Sequence, residues 1–284
     1  MMKFYIVDCF AEQKYQGNQL AVFIPDYEIS TEEMQQIANE IGFSEATFIL
    51  SDQQENGGYD VRIFTPAVEV PFAGHPTLGT AYVIHQVMEQ GASERVILNL
   101  RAGAISVEVD GENLVMTQNE PEFGEKFDKK ILAEVLSIDE KDIQDDYPVQ
   151  WVSTGLGAVI VPLKSVEAMK KCRVNHMLFE NFIENYCRCN VLVFWGDHQH
   201  LRVRVFMDDP GFLEDPATGS ANGNLAGYLL KHHYFKKSKL QYSVSQGSEM
   251  GRPSVLNIQA ELVDERFTIL VGGKVIKVAE GYWY

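Results

Sequence analysis

The chain has 284 residues, of which 45% are apolar and 23% charged, an ordinary soluble composition with room for one large domain or two modest ones. Its 40 acidic residues against 24 basic ones give a formal net charge of −16, a surface that repels polyphosphate and argues against nucleic acid as a partner. No apolar run approaches the length of a membrane span, and "MMKFYIVDCF" enters an alternating strand pattern without a leader-like apolar segment. A cytoplasmic protein with no membrane partner is therefore expected, its cysteines (Cys9, Cys172, Cys187, Cys189) reduced.

In chain order, "FYIVDCF" and "LAVFIP" (20–25) read as strands, the second ended by Pro25. "STEEMQQIANEIG" reads as a helix. Ser30 and Glu33 form a capping box, Met34, Ile37, Ala38 and Ile41 share one face, and Gly42 stops it. "SEATFIL" (44–50) and "YDVRIFTP" (59–66) read as strands, followed by a helix at about 76–90 that ends at Gly91. "RVILNL", "AISVEV" and "LVMTQ" complete an antiparallel-looking first half. The acidic, partly helical stretch 120–147 reads as a connection. The second half shows strands near 150–162 and 190–207, helices near 166–172 and 220–232, and strands to the end. The fold class expected is α+β, with two pseudo-symmetric domains over 1–119 and 120–284, each a curled, mostly antiparallel sheet around a central helix. The last strand is free to belong to either half.

The pseudo-symmetry is written in the chain. "VRIF" (61–64) returns as "VRVF" (203–206), and each is followed by a proline-containing loop, a small-residue turn and an amphipathic run, "AGHPTLGTAYVI" and "TGSANGNLAGYLL". Pairing Gly74 with Gly219 sets His75 opposite Ser220 and Ala81 opposite Ala226, with a strand-to-turn difference of three residues. Two copies at this spacing indicate duplicated domains and not a solenoid.

Both turns open helices, so unsatisfied N–H groups and the positive end of the helix dipole collect at Gly74 and at Gly219. Two such starts facing one cleft would receive a carboxylate or an enolate oxygen. Neither turn has a dinucleotide or Walker pattern, nor does "GLGAV" (155–159), and "TGSANG" lacks the spacing of a nucleophile elbow. His75 reads either as a helix-start residue satisfied by backbone or as a catalytic group, and Ser220 as an N-cap or a substrate contact. Glu45, expected on a strand face with Phe43, Thr47 and Ile49, reads as an edge glutamate or as a base whose pKa burial raises. Asp215 opens a turn before Pro216 and reads as a turn residue or a proton carrier, with Glu214 equally eligible. Asn18, after Gly17, reads as a turn residue or a ligand amide. Cys187-Arg188-Cys189 is a C-x-C without a second pair or a histidine at finger spacing, so no metal site is expected.

Taken together, "VDCFAEQKYQGNQLAVF", "GFSEATFIL", "RIFTPAVEVPFAGHPTLGTA", "EDPATGSANGNLAGYL" and "QGSEMGRPSVL" resemble the PhzF-like phenazine biosynthesis family, in family order and over nearly the whole chain. The resemblance implies the diaminopimelate-epimerase-like fold, with an active site in the cleft between two halves. It implies a cofactor-free isomerase, commonly a homodimer, whose namesake reaction shifts a proton in trans-2,3-dihydro-3-hydroxyanthranilate. Glu45 matches the family's catalytic glutamate, His75 the histidine of its G-H-x-T motif, and Asp215 and Ser220 the residues of its D-P-x-T-G-S motif. Asn18, Gly74 and Gly219 are the matching substrate-binding positions. The related two-thiol epimerases carry a cysteine at each helix start. None of the four cysteines stands at either turn here, which disfavours a thiol racemase. An epimerase using Glu45 with a second acid, and a binding protein that keeps the cleft without turnover, are the alternatives.

Overall fold

A computed structural model describes residues 1–207 and 212–284. The chain divides into two compact units, one of Met1–Thr117 with Gly272–Tyr284, the other of Gln118–Val271.

The first unit contains β1 (Met2–Cys9), β2 (Asn18–Ile24), α1 (Thr31–Ile41), β3 (Ala46–Ile49), β4 (Gly58–Phe64), β5 (Glu69–Val70), α2 (Gly74–Val83), β6 (Arg95–Leu100), β7 (Gly103–Asp110) and β8 (Asn113–Thr117). The second contains β9 (Glu122–Phe127), α3 (Lys129–Val135), β10 (Val149–Ser153), β11 (Gly157–Pro162), α4 (Val166–Lys171), α5 (His176–Asn185), β12 (Asn190–Gly196), β13 (His200–Phe206), β14 (Glu214–Asp215), α6 (Gly219–Lys231), β15 (Lys239–Gln246) and β16 (Ser254–Val263). The last strand, β17 (Arg266–Trp283), begins in the second unit and ends in the first.

In the first unit the pairings run β1, β2, β3, β4, β6, β7, β8, β17 and back to β1, so the sheet closes into a barrel. The pairs β2–β3 and β4–β6 are parallel, and β1–β2, β3–β4, β6–β7, β7–β8 and β1–β17 are antiparallel. The second unit repeats the plan in the order β9, β10, β11, β12, β13, β15, β16. A two-residue turn at Asp264 and Glu265, both with positive φ, then leads into β17.

Each sheet curls around a helix that is buried on all sides. Every residue of α2 except Tyr82 is buried, and α2 packs against β1, β2, β3, β6, β7 and β8. In α6 every residue before Lys231 is buried, against β10, β11 and β16. Such helices carry no polar stripe because no side of them meets water. Close approach demands small residues. A Cβ on Gly79 would lie 2.5 Å from Leu20 Cδ2 and 2.7 Å from Cys9 Sγ, so α2 can touch β1 and β2 only through a glycine.

The outer faces are covered by the other helices. The helix α1 lays Met34, Ile37 and Ala38 on Ala21, Phe23, Ala46, Phe48 and Phe64, with the Phe23 and Phe48 rings stacked at 5.1 Å. Strands β2 and β3 are thus covered on both faces, which is why they read as continuous apolar runs. Ser30 caps α1 by accepting from the Glu33 N–H at 3.1 Å, worth about 1 kcal/mol, and Gly42 ends it at φ +66°. The reciprocal half of the capping box does not form, because the Glu33 carboxylate takes the Tyr27 hydroxyl instead.

Three local expectations are corrected. The stretch 120–147 is built into the second unit, with Leu132, Val135 and Leu136 of α3 and its exit in the apolar cluster that β11 and β12 share with α4 and α5. The helix expected at 76–90 starts at Gly74 and continues past Val83 as a π-helical turn, Ile84–Met88, before Gly91 at φ +78° stops it. Pro76 is therefore its third residue, still within the first turn, where a missing N–H costs no helix bond.

Candidate active site

The first unit gathers Asn18, Glu45, Gly74 and His75. Gly17 makes this possible. At φ +69° any Cβ would stand 2.2 Å from Cys9 O, so only glycine turns the chain tightly enough to deliver Asn18 as the first residue of β2. Glu45 is not on a strand, as the sequence suggested. It lies one residue before β3, and Phe43 packs into the α1-side cluster with Ala46 and Phe48. The chain turns between Gly42 and Ser44, which breaks the alternation that put Phe43 and Glu45 on one face. Thr47 does face inward, its hydroxyl 2.8 Å from that of Thr80 on α2.

His75, the second residue of α2, brings Nε2 to 3.4 Å from Glu45 Oε2, while its Nδ1 lies 3.1 Å from Asn18 Nδ2. Ser44 Oγ donates to Asn18 Oδ1 at 3.4 Å, which orients the amide so that its NH2 faces the ring. Burial pushes the imidazole down to about 3, with the Gln19 backbone acting weakly in the opposite sense. The ring is therefore neutral at physiological pH. Its Nδ1 faces the Asn18 amide nitrogen and its Nε2 the side of Glu45. The contact is a neutral imidazole beside a carboxyl group and not an ion pair. At 3.4 Å it is longer than a formed hydrogen bond.

The second unit gathers Asp215, Thr218, Gly219 and Ser220. Thr218 Oγ1 donates to Asp215 Oδ2 at 2.5 Å. Gln246, at the end of β15 and 1% exposed, ties this turn together. Its Nε2 donates to Asp215 O at 2.8 Å and to Thr218 Oγ1 at 3.0 Å, and its Oε1 accepts from Thr218 N at 3.3 Å and from Asn222 Nδ2 at 2.9 Å. By donating to the Thr218 oxygen, Gln246 leaves the hydroxyl proton only Asp215 to point at, which keeps that carboxylate an acceptor. Gln246 lies in the quoted "QGSEMG" run, yet no role was read for it there. Its partners lie 24 to 31 residues away, beyond any local pattern.

The two helix starts match in detail. Neither N-cap residue, Ala73 or Thr218, caps its helix with its side chain, so the N–H groups of Gly74 and His75 and of Gly219 and Ser220 remain available for a ligand's oxygen. Four residues after each N-cap, a side chain folds back onto the cap carbonyl: Thr77 Oγ1 onto Ala73 O at 2.7 Å and Asn222 Nδ2 onto Thr218 O at 2.9 Å. Ahead of each turn, an arginine of the repeated strand grips a glutamate with two hydrogen bonds. Arg62 holds Glu69 at 2.8 and 2.7 Å, and Arg204 holds Glu214 at 2.8 and 2.7 Å. Each guanidinium also lies over the phenylalanine two residues on, Phe64 and Phe206. Hydrogen bonding from Arg62 holds Glu69 below the usual carboxylate range. Glu214 is thereby committed to Arg204, while Asp215 is bonded to Thr218 at the helix start.

The family model described as phenazine biosynthesis-like protein (PhzC-PhzF) matches residues 7–281. The trans-2,3-dihydro-3-hydroxyanthranilate isomerase of Pseudomonas aeruginosa is 35% identical over 290 aligned positions, covering 100% of both chains. The crystal structure of a Bacillus anthracis phenazine biosynthesis protein of the PhzF family superposes with a TM-score of 0.88 at 25% identity, over 99% of this chain and 98% of that one. A hydroxyproline epimerase from Agrobacterium vitis shares the fold alone, with a TM-score of 0.66 at 11% identity over 99% and 91% of the two chains.

Proposed function

Since the chain belongs to the phenazine biosynthesis-like family, whose curated relatives are isomerases, we propose that it moves a proton within a small carboxylic acid bearing an amino or hydroxyl group, with Glu45 as the base. The observation that carries the reading is the buried His75 imidazole set with Nε2 3.4 Å from the Glu45 carboxyl and Nδ1 3.1 Å from the Asn18 amide. Glu45 takes a proton from an acidic carbon, the electron pair shifts along the conjugated system, and the same proton is returned at its other end. Nothing is gained or lost overall. The Nε2–H of His75 and the helix-start N–H groups at Gly74 and Gly219 stabilise the negative charge that develops on the substrate's oxygens. Asp215, aligned by Thr218 and Gln246, and Ser220 hold the substrate's polar groups and assist the transfer.

Support for the remaining readings is of a simpler kind. A homodimer follows the habit of the family and is checked by light scattering. A cytoplasmic site accords with four cysteines that are all thiols, and among the described residues no helix is long and apolar enough to cross a membrane. The net charge of −16 argues against nucleic acid.

The deciding experiment is deuterium uptake. The protein is incubated in deuterated water with a panel of cyclic and linear amino and hydroxy acids, trans-2,3-dihydro-3-hydroxyanthranilate among them, and followed by NMR. Uptake with a moved double bond is expected. Uptake with inversion of a stereocentre would make the enzyme an epimerase, and binding without uptake would make it a binding protein. Glu45→Gln should abolish exchange while ligand still binds. Full activity in that variant would remove Glu45 from the mechanism.

A further inference from the structure

The C-x-C motif takes no part in the chemistry above, yet its two sulfurs lie beside each other. Cys187 Sγ and Cys189 Sγ are 3.2 Å apart. They sit in the extended link between the end of α5 and the start of β12, where side chains two residues apart fall on one side of the chain. Closing to the bond length of a disulfide, about 2.05 Å, brings the two sulfurs roughly 1 Å nearer. The two thiols differ in access. Cys187 is partly exposed, whereas Cys189 is buried against the second unit's apolar cluster. The remaining two cysteines, Cys9 and Cys172, are both buried.

We propose that Cys187 and Cys189 form a redox modification site, a dithiol that small disulfides convert to an intramolecular bridge. The Cys187 thiolate attacks one sulfur of a low-molecular-weight disulfide, forming a mixed disulfide and releasing one thiolate. The Cys189 thiol, losing its proton to solvent, then attacks the Cys187 sulfur and expels the second thiolate. The small disulfide is reduced to two thiols, the protein is oxidised by two electrons, and the two thiol protons pass to the departing thiolates. The resulting ring encloses only Arg188, so the bridge is strained and easily reduced. This is the character of a sensor that follows the surrounding thiol–disulfide ratio, and not of a permanent staple. Burial raises the Cys187 thiol while the contact with Cys189 lowers it, so the first step speeds up as pH increases.

The test uses the folded full-length protein and oxidised glutathione. After an acid quench, the wild-type protein should be lighter by two hydrogen atoms. Trypsin, which cuts after Arg188, should then yield the peptides carrying Cys187 and Cys189 joined by a bond that a reducing agent breaks. Cys189→Ser should stop at a stable glutathione adduct on Cys187, and Cys187→Ser should not react at all at Cys189. The exposed position of Cys187 makes the second variant informative even if the first folds poorly. A wild-type protein that accumulates the adduct on Cys187 without bridging would overturn the proposal. So would one in which neither thiol reacts while a C-x-C peptide in the same tube does.

Discussion

Val70 and Asp215 occupy the same place in two copies of one turn. Val70 pairs with Ile63 and Asp215 with Val205, each directly after the glutamate held by the arginine of the preceding strand. The scaffold has been kept twice, and at this one position an apolar residue stands in one copy and an acid in the other.

Replacing Asp215 with valine makes the second turn a copy of the first. The backbone pairing needs no carboxylate, so the fold should persist by circular dichroism. Thr218 loses its acceptor, and if Asp215 assists proton transfer the exchange rate should fall by about 10²- to 10³-fold. Exchange within a factor of a few of wild type would assign Asp215 to turn structure alone.

The buried His75 makes stability depend on acid. The unfolded chain protonates a histidine near pH 6.5, but the folded one only at about 3. The native state thus binds fewer protons between these values. Its contribution is complete above pH 6.5 and is lost as pH falls towards 3. Between pH 8 and pH 4 the wild type should lose about 3 kcal/mol more than His75→Gln, read from urea midpoints at each pH. Parallel curves would show that the folded ring titrates near its ordinary value, and divergence of the opposite sign that it is held charged. By NMR, the His75 ring nitrogens should hold the Nε2–H pattern throughout this range.

The duplicated arginines are unequal. Arg204 is 5% exposed and also donates to the carbonyls of Met169 and Cys172 at the end of α4, at 2.9 and 3.0 Å. Removing it leaves the Glu214 carboxylate without its two hydrogen bonds, while Met169 O keeps the Cys172 N–H and Cys172 O keeps Arg173, so Arg204→Met should cost about 3 kcal/mol. Arg62 is 25% exposed, and Glu69 keeps Arg101 at 2.7 Å when Arg62 is gone. Arg62→Met should cost about 1 kcal/mol or less. Equal losses in urea unfolding would contradict this account of the two forks.

Gly79→Ala tests how tightly α2 fills the first barrel. The added methyl meets the Leu20 and Cys9 side chains of two neighbouring strands, and helix propensity gains less than the overpacking loses. The expected cost is about 1–3 kcal/mol by chemical denaturation. A stabilised variant would mean that the barrel relaxes around the helix.

What the sequence disclosed was what repeats or punctuates locally. Ser30 and Gly42 bound α1 because caps are chemical necessities of a helix end, and "VRIF" with "VRVF" announced the duplication because both copies need the same arginine. The helix α5 went unread although Asn175 caps it and Phe179 and Phe182 share its buried face; that signal was present. Glu45 was placed on a strand because alternation does not reveal a turn at Gly42–Ser44. The π-turn after Val83 has no sequence period of its own. Gln246 was invisible for another reason: its importance lies wholly in partners brought by the fold.

The route of β17 also governs how the protein can be made. Val275 to Trp283 pair with β1, so the first barrel lacks a wall until β17, which follows the whole second unit, has been synthesised. On the ribosome, β1 and α2 must wait with apolar surface uncovered while the whole second unit emerges, and that unit can finish first although it is encoded later. A truncation that removes the final dozen residues would therefore strike the beginning of the chain, not its end. Chaperone dependence should be traced to the N-terminal segments, whose partner strand is the last to arrive.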